Sequence, residues 1–314
     1  MNYQRLLVTH DGSELADAAL GHAAAISKAT GAAVLVLRVS AAAGRDPKGL
    51  HAREWTDLVD HTPSGPPQEA EPHLSVTVDA LRAGGVEHVG SLLVRDGDVG
   101  EAILDTASRL DVDLIAISSH GLSGVRRVVL GSVADFVIRH TERLVVLLCR
   151  GSAPGPLGYR RLLAALDGSE LGDLVIPHIE SLARTTRAEV VLFRAIDSVA
   201  RVMTAMTSGE LEQQSETNVE IAESSVAAQR SGAESELGAV AASLREAGVE
   251  RVVVQVVEGE PGDAIVEAIE STGADLAVMG THGRTGLGRA LLGSVADHVA
   301  HNTDAPVLLV RQFR

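Results

Sequence analysis

Asp275-Leu276-Ala277-Val278-Met279-Gly280-Thr281-His282-Gly283-Arg284-Thr285-Gly286-Leu287-Gly288-Arg289-Ala290-Leu291-Leu292-Gly293-Ser294-Val295-Ala296 is the stretch from which the fold of this chain can be read. Its first four residues read as a buried strand, and Gly293-Ser294 reads as the start of a helix. Between them runs a glycine-rich arch. A strand, an arch and a helix N-terminus in succession let backbone N–H groups converge on an anion. The same construction runs from Ile117-Ser118-Ser119-His120-Gly121 to Gly131-Ser132-Val133-Ala134, so the chain carries it twice.

Working outward, the whole chain repeats. Leu130-Gly131-Ser132-Val133-Ala134-Asp135 recurs letter for letter as Leu292-Gly293-Ser294-Val295-Ala296-Asp297, and Gly97-Asp98-Val99-Gly100 meets Gly259-Glu260-Pro261-Gly262 at the same spacing. Asp11-Gly12-Ser13-Glu14-Leu15 recurs as Asp167-Gly168-Ser169-Glu170-Leu171. That spacing is six residues shorter, so the second half holds an insertion. A repeat of this length marks two copies of one domain. The boundaries read as residues 1–150, a Gly/Pro-rich linker 151–158, and residues 159–314. Short apolar runs alternate with helix-like segments: 5–9, 33–39, 89–94, 113–117 and 144–148 in the first half, and 161–166, 190–195, 251–257, 276–278 and 307–310 in the second. These runs are continuous rather than alternating, as in strands covered on both faces. The reading is α/β: two tandem doubly wound domains, each an open five-stranded parallel sheet with helices on both faces. Residues 208–247 read as one helix, with a break placed at Ser231-Gly232.

Composition narrows the function. The net charge is −15, with −5 in residues 1–150 and −10 in residues 151–314, and aromatic residues make up 2%. An acidic surface without stacking platforms argues against nucleic acid and anionic membrane as partners. The single cysteine, Cys149, ends an apolar run and reads as a buried strand residue. It has no partner in the chain for a disulfide; with no signal-like N-terminal segment and no run near the ~18 residues of a membrane span, a cytoplasmic location is expected.

The residues that could carry chemistry fall at the expected carboxyl ends of strands. Asp11 and Asp167 follow the first strand of each half. A carboxylate there can accept hydrogen bonds from a ribose or a base edge, or it can simply form a turn with the next glycine. Gly280 and Gly283 permit turns that a side chain would obstruct. Gly293 allows close approach, and the N–H groups of Ser294, Val295 and Ala296 face outward at a helix start. Arg284 and Arg289 on the arch could neutralise phosphate or contact a neighbouring domain. The commoner nucleotide signatures are absent. The only lysines, Lys28 and Lys48, are in no Gly-Lys-Ser/Thr context, and Leu291 stands where a dinucleotide fingerprint needs its third glycine. The 12 histidines show no metal-ligand spacing, and no Gly-x-Ser-x-Gly elbow is present.

On these residues the chain resembles a tandem universal stress protein over nearly its whole length. Nucleotide-binding members of that family carry Gly-x2-Gly-x9-Gly-Ser/Thr, which here reads Gly280, Gly283, Gly293 and Ser294. The resemblance implies the adenine-nucleotide alpha hydrolase-like fold and ATP, with or without Mg2+, as cofactor. It implies that Asp167 meets the adenosine, that Ala195 lines the adenine pocket, and that Gly280, Gly283, Gly293, Ser294 and Val295 surround ribose and phosphates, to which Arg284 of the arch is added as a binding candidate. In the first half Asp11, Val39, Gly121, Gly131, Ser132 and Val133 match, but Ser118 stands where the first glycine belongs. Nucleotide is therefore expected mainly in the second half. The resemblance implies a stress-response regulatory protein with an unidentified protein partner. It also implies pairing of domains through their last strands, within the chain as a pseudo-dimer or between chains as a homodimer. A slow ATPase, a phosphoryl or adenylyl transferase, and a nucleotide-free scaffold are the alternatives.

Overall fold

The computed structural model describes residues 3–40, 55–59, 72–94, 97–119, 130–141, 145–150, 153–155, 158–207, 216–281 and 292–311. The first half runs β1 (Arg5–Thr9), α1 (Glu14–Thr30), β2 (Ala33–Val39), α2 (Trp55–Val59), α3 (Pro72–Ala83), β3 (Val89–Val94), α4 (Val99–Arg109), β4 (Leu114–Ser118), α5 (Ser132–His140) and β5 (Val145–Cys149). The second half runs β6 (Arg161–Ala165), α6 (Glu170–Asp173), α7 (Ile176–Thr186), β7 (Glu189–Ile196), α8 (Val199–Thr207), α9 (Glu216–Glu246), β8 (Val252–Glu258), α10 (Pro261–Thr272), β9 (Leu276–Gly280), α11 (Ser294–Asn302) and β10 (Val307–Val310).

Consecutive strand residues such as Leu6, Leu7 and Val8 are all fully buried. The apolar runs are thus covered on both faces, as their composition predicts. Leu6 and Val8 join one core, packed beneath α1, α3, α7 and α9. Leu7 joins the other, beneath α4, α5, α10 and α11. Both cores extend through both halves. The strands of each half are mutually parallel. The two sheets fuse into one ten-stranded sheet, ordered β3-β2-β1-β4-β5-β10-β9-β6-β7-β8. At its centre β10 runs antiparallel to β5, with Val307 opposite Leu148 and Leu309 opposite Val146. This pairing covers two edges that would otherwise be open.

Polar side chains reinforce the join in reciprocal pairs. Tyr3 of the first half meets His178 of the second, Oη to Nδ1, at 2.5 Å. Tyr159 of the second meets His22 of the first in the same way at 2.9 Å. All four are at most 2% exposed. Burial holds both imidazoles down to about 4 and raises both phenols. Two arginines at strand ends cross the join as well. Nη1 of Arg150, after β5, donates to the carbonyls of Thr303 (2.8 Å) and His301 (3.4 Å), at the end of α11. Nη1 of Arg311, after β10, donates to Thr141 (2.6 Å), Arg139 (3.2 Å) and Ile138 (3.3 Å), at the end of α5. Each half thus satisfies the orphan carbonyls of the other half's last helix. Arg139 adds a bridge, donating to Asp135 at 2.7 Å and across the join to Asp297 at 3.0 Å.

Two features depart from the sequence reading. The α9 helix continues unbroken through Ser231 and Gly232. Its first half packs against α8, with Val226 and Ala233 set against Ile196, Val199, Val202 and Val256. That tertiary contact outweighs the helix-weakening glycine. The second departure is at Ala153, within the expected linker, which lies against α1 where Gly21 has no side chain; a Cβ there would be 2.2 Å from that of Ala153. So part of this segment packs, although its composition reads as featureless.

The repeated Gly100 and Gly262 also find a reason, in helix packing. A Cβ at Gly100 would be 2.3 Å from the Phe136 ring, and one at Gly262 would be 2.8 Å from His298. These glycines let α4 approach α5, and α10 approach α11.

Candidate functional site at the strand carboxyl ends

In each half the strand order reverses beside the first strand: β1 lies between β2 and β4, and β6 between β7 and β9. The crevice beyond the carboxyl ends of strands at such a reversal is where open α/β sheets bind ligands. In the second half Ala165 pairs with Phe193 on one side and Met279 on the other. Asp167, two residues beyond β6's last paired residue, is therefore level with Ala195 and Thr281, at strand spacings of roughly 5 Å. Gly280 ends β9 opposite Val310.

Asp167 folds its own turn. Its Oδ1 accepts from the Ser169 N–H at 3.1 Å and from Ser169 Oγ at 2.6 Å. Ser169 Oγ in turn accepts from the Gly172 N–H at 3.0 Å. Asp11 does the same with Ser13, at 3.0 and 2.6 Å, and Ser13 Oγ caps α1 by accepting from Ala16. One oxygen of each carboxylate is therefore committed to a turn, the simpler of the two roles read from the sequence.

The feet of the arch are tied together identically in both halves. The Thr281 N–H donates to the Val310 carbonyl at 2.9 Å, and the Gly293 N–H donates to the Thr281 carbonyl at 2.7 Å. In the first half Ser119 donates to Cys149 at 3.1 Å and Gly131 donates to Ser119 at 2.7 Å. This tie delivers the first turn of α11 to the crevice. Neither Gly293 nor Gly131 supplies a side-chain cap. The opening N–H groups of α11 (Ser294, Val295, Ala296) and of α5 (Ser132, Val133, Ala134) thus point outward without a side-chain acceptor from their N-cap residue. Ser294 is exposed and Val295 half-buried. Donor chemistry of this kind fits a phosphate.

The site residues read from the sequence therefore divide. Asp167, Ala195, Gly280, Gly293, Ser294 and Val295 gather at one crevice, and Asp11, Val39, Gly131, Ser132 and Val133 gather at its counterpart. Gly283, Arg284 and Gly121 lie outside the described residues, as do His120, His282, Arg126, Arg127 and Arg289. One expectation needs correcting. Gly280 does not have a positive φ, and neither does Ser118. Both end a parallel strand, Ser118 opposite Cys149 and Gly280 opposite Val310. No left-handed turn at this position demands glycine, so Ser118 differs from Gly280 by its side chain and not by a backbone requirement.

Sequence reasoning missed the residues beneath the turn. Arg194 of β7 alternates with Ala195 and is 8% exposed. Its Nε donates to the Leu166 carbonyl at 3.0 Å, and its Nη1 donates to Glu236 of α9 at 2.6 Å. Arg38 lies beneath Gly12 in the first half. The first half adds a buried His10, whose Nε2 meets Asp17 Oδ1 at 3.0 Å and whose Nδ1 accepts from the Gly12 N–H at 3.3 Å. Leu166 occupies the matching position in the second half. Arg38 and Arg194 stand at the same spacing as Asp11 and Asp167, so extending the repeat to charged strand residues finds them.

Comparison with known proteins agrees with this architecture. The universal stress protein family model matches twice, over residues 2–148 and 158–311. A universal stress protein of Methanocaldococcus jannaschii is 34% identical over 154 residues, 49% of this chain and 83% of that protein. The crystal structure of a universal stress protein from Archaeoglobus fulgidus superposes with a TM-score of 0.68 over 100% of both chains, at 18% identity. Another solved universal stress protein is a complex with cAMP; it is 21% identical, with a TM-score of 0.33, and the match covers 49% of this chain and 97% of that one. The chain belongs to the universal stress protein family, as a tandem of two family units.

Proposed function

We propose that this universal stress protein is an ATP-binding regulatory protein of the stress response, with nucleotide held mainly in its second half. The observation that carries the reading is the outward-facing first turn of α11, tied by Gly293 to Thr281 beside Asp167 and Ala195. In this reading Ala195 is a small wall for the adenine and Asp167 accepts from the adenosine. Gly280 keeps side-chain bulk away from the ribose. The N–H groups following Gly293, together with Gly283 and Arg284, take the phosphates. Among the described residues no group of His, Cys, Asp or Glu is arranged to hold a metal ion. In this reading Mg2+ is carried on the phosphate oxygens. Occupancy biases the arch, and so the surface shown to a protein partner. With β5 and β10 paired inside the chain, a homodimer would use another surface. Among the described residues no helix is long and apolar enough to cross a membrane.

The test is to denature the purified protein, chromatograph the released small molecules, and titrate the emptied protein with Mg-ATP. The reading expects an adenine nucleotide in about one copy per chain, with binding lost in Gly283→Val while the fold is kept. No released nucleotide and no binding at millimolar Mg-ATP would refute it. Multiple-turnover phosphate release, abolished by Asp167→Ala in a folded protein, would make the protein an ATPase instead.

A further inference from the structure

An arginine lies beneath the aspartate turn in both halves, Arg38 under Gly12 and Arg194 under Gly168, and in the second half a carboxylate of α9 joins it. Gly168 has φ +77°, and a Cβ on it would be 2.9 Å from Arg194 Nη1 and 3.0 Å from Glu236 Oε2. The guanidinium–carboxylate pair therefore packs directly on the turn backbone. Arg194 also holds the carbonyl of Leu166, the residue before Asp167. A guanidinium this buried needs its acceptors, because an uncompensated buried charge is strongly unfavourable. Glu236 is the ionic partner, and it comes from the middle of α9. The second face of α9 reaches α8 and the edge of the sheet through Val226 and Ala233.

In the first half a histidine joins the turn. Arg82 and Arg245 donate to the carbonyls of Val89 and Val252 at 3.0 and 2.6 Å, which fixes the correspondence of α3 with the end of α9. At that spacing the position of Glu236 is filled by His73. The Gly12 N–H donates to His10, which is braced on Asp17 of α1.

We propose that Arg194, held by Glu236, is a positioning residue for Asp167, so that the long helix α9 sets the geometry of the adenosine contact. The proposal rests on the nucleotide reading of the second half. It makes α9 and α8 the elements through which occupancy of the crevice and a change at the helical surface influence one another, since coupling between two sites is reciprocal.

The test uses the full chain with Glu236→Gln and Arg194→Lys. In the nucleotide-free protein, amide exchange at Gly168 and Ser169 should quicken in both variants, with α11 unchanged. Calorimetric titration should show Mg-ATP weakened roughly tenfold, the scale of coupling between contacting groups. Inorganic tripolyphosphate, held by the α11 N–H groups away from the turn, should bind as in wild type. Unchanged exchange, unchanged ATP affinity, or equal losses for ATP and tripolyphosphate would overturn the proposal. If Arg194→Lys fails to fold, Glu236→Gln decides, since the Glu236 side chain is 61% exposed. If wild type binds neither ligand, the nucleotide reading fails, and the exchange measurement alone decides whether Arg194 holds the turn.

Discussion

The join between the halves and the strand ends obey different rules. At the join the pseudo-twofold relation is kept in detail: Tyr3 and Tyr159, His22 and His178, and Arg150 and Arg311 each do the same job in opposite directions. At the strand ends it is broken: His10 stands where the second half has Leu166, Ser118 where it has Gly280, and His73 where it has Glu236. An antiparallel pairing of β5 with β10 makes each half cap the other, so a contact made on one side is required on the other. The crevices open at opposite edges of the fused sheet, because β5 and β10 run antiparallel. The difference teaches that the duplication is structural at the centre and free to specialise at the sites.

The strongest way to break the symmetry of the join is acid. Both buried histidines are neutral in the fold, with values lowered to about 4 from 6.5. Their contribution is full above pH 6.5 and declines as pH falls from 6.5 toward 4, by roughly 3 kcal/mol per histidine. Urea unfolding at pH 7.5 and 4.5 should show this loss. His22→Gln and His178→Gln, which keep an acceptor for the tyrosine, should each remove about half of the pH dependence. Unequal shares would show that the two pairs are not equivalent.

Next in size are the crossing arginines. Arg311→Met frees three carbonyls and Arg150→Met frees two. Losses of roughly 2 kcal/mol in denaturant unfolding are expected, with Arg311→Met the larger. Gly100→Ala and Gly262→Ala come third, at roughly 1–2 kcal/mol from overpacking. The first should cost more, because a Cβ meets the Phe136 ring at 2.3 Å against 2.8 Å for His298. Reversal of that order by thermal unfolding would mean that α4–α5 yields more readily than α10–α11.

Much of this was legible in the residues themselves. Continuous apolar runs such as Leu6-Leu7-Val8 specify strands buried on both faces, and the recurring Leu-Gly-Ser-Val-Ala-Asp specifies the duplication. Asp167, Ala195 and Gly293 could be placed at one crevice because parallel strands put all their carboxyl ends on one side. The reciprocal join was less legible. Tyr3 and His22 recur as Tyr159 and His178, but sequence does not say that each contacts the other copy. The Arg194–Glu236 pair spans 42 positions and depends on how α9 docks, which local pattern does not encode. The demand for glycine at position 280 was misread as conformational, because an extended strand end and a tight turn look alike in a Gly-rich stretch.

The smallest effect concerns that same position. With backbone strain removed from the argument, Gly280→Ser should weaken Mg-ATP only several-fold, and Ser118→Gly should strengthen any first-half binding by no more, the scale of one small steric contact. A complete loss in Gly280→Ser would restore a stricter role for the glycine.

The central claim, that the second crevice is the nucleotide site, is tested most directly by titrating Asp11→Ala and Asp167→Ala side by side with Mg-ATP. The account predicts about one nucleotide per chain in wild type and in Asp11→Ala, and none in a folded Asp167→Ala. Two equivalent sites in wild type, or loss of binding in Asp11→Ala with retention in Asp167→Ala, would contradict it.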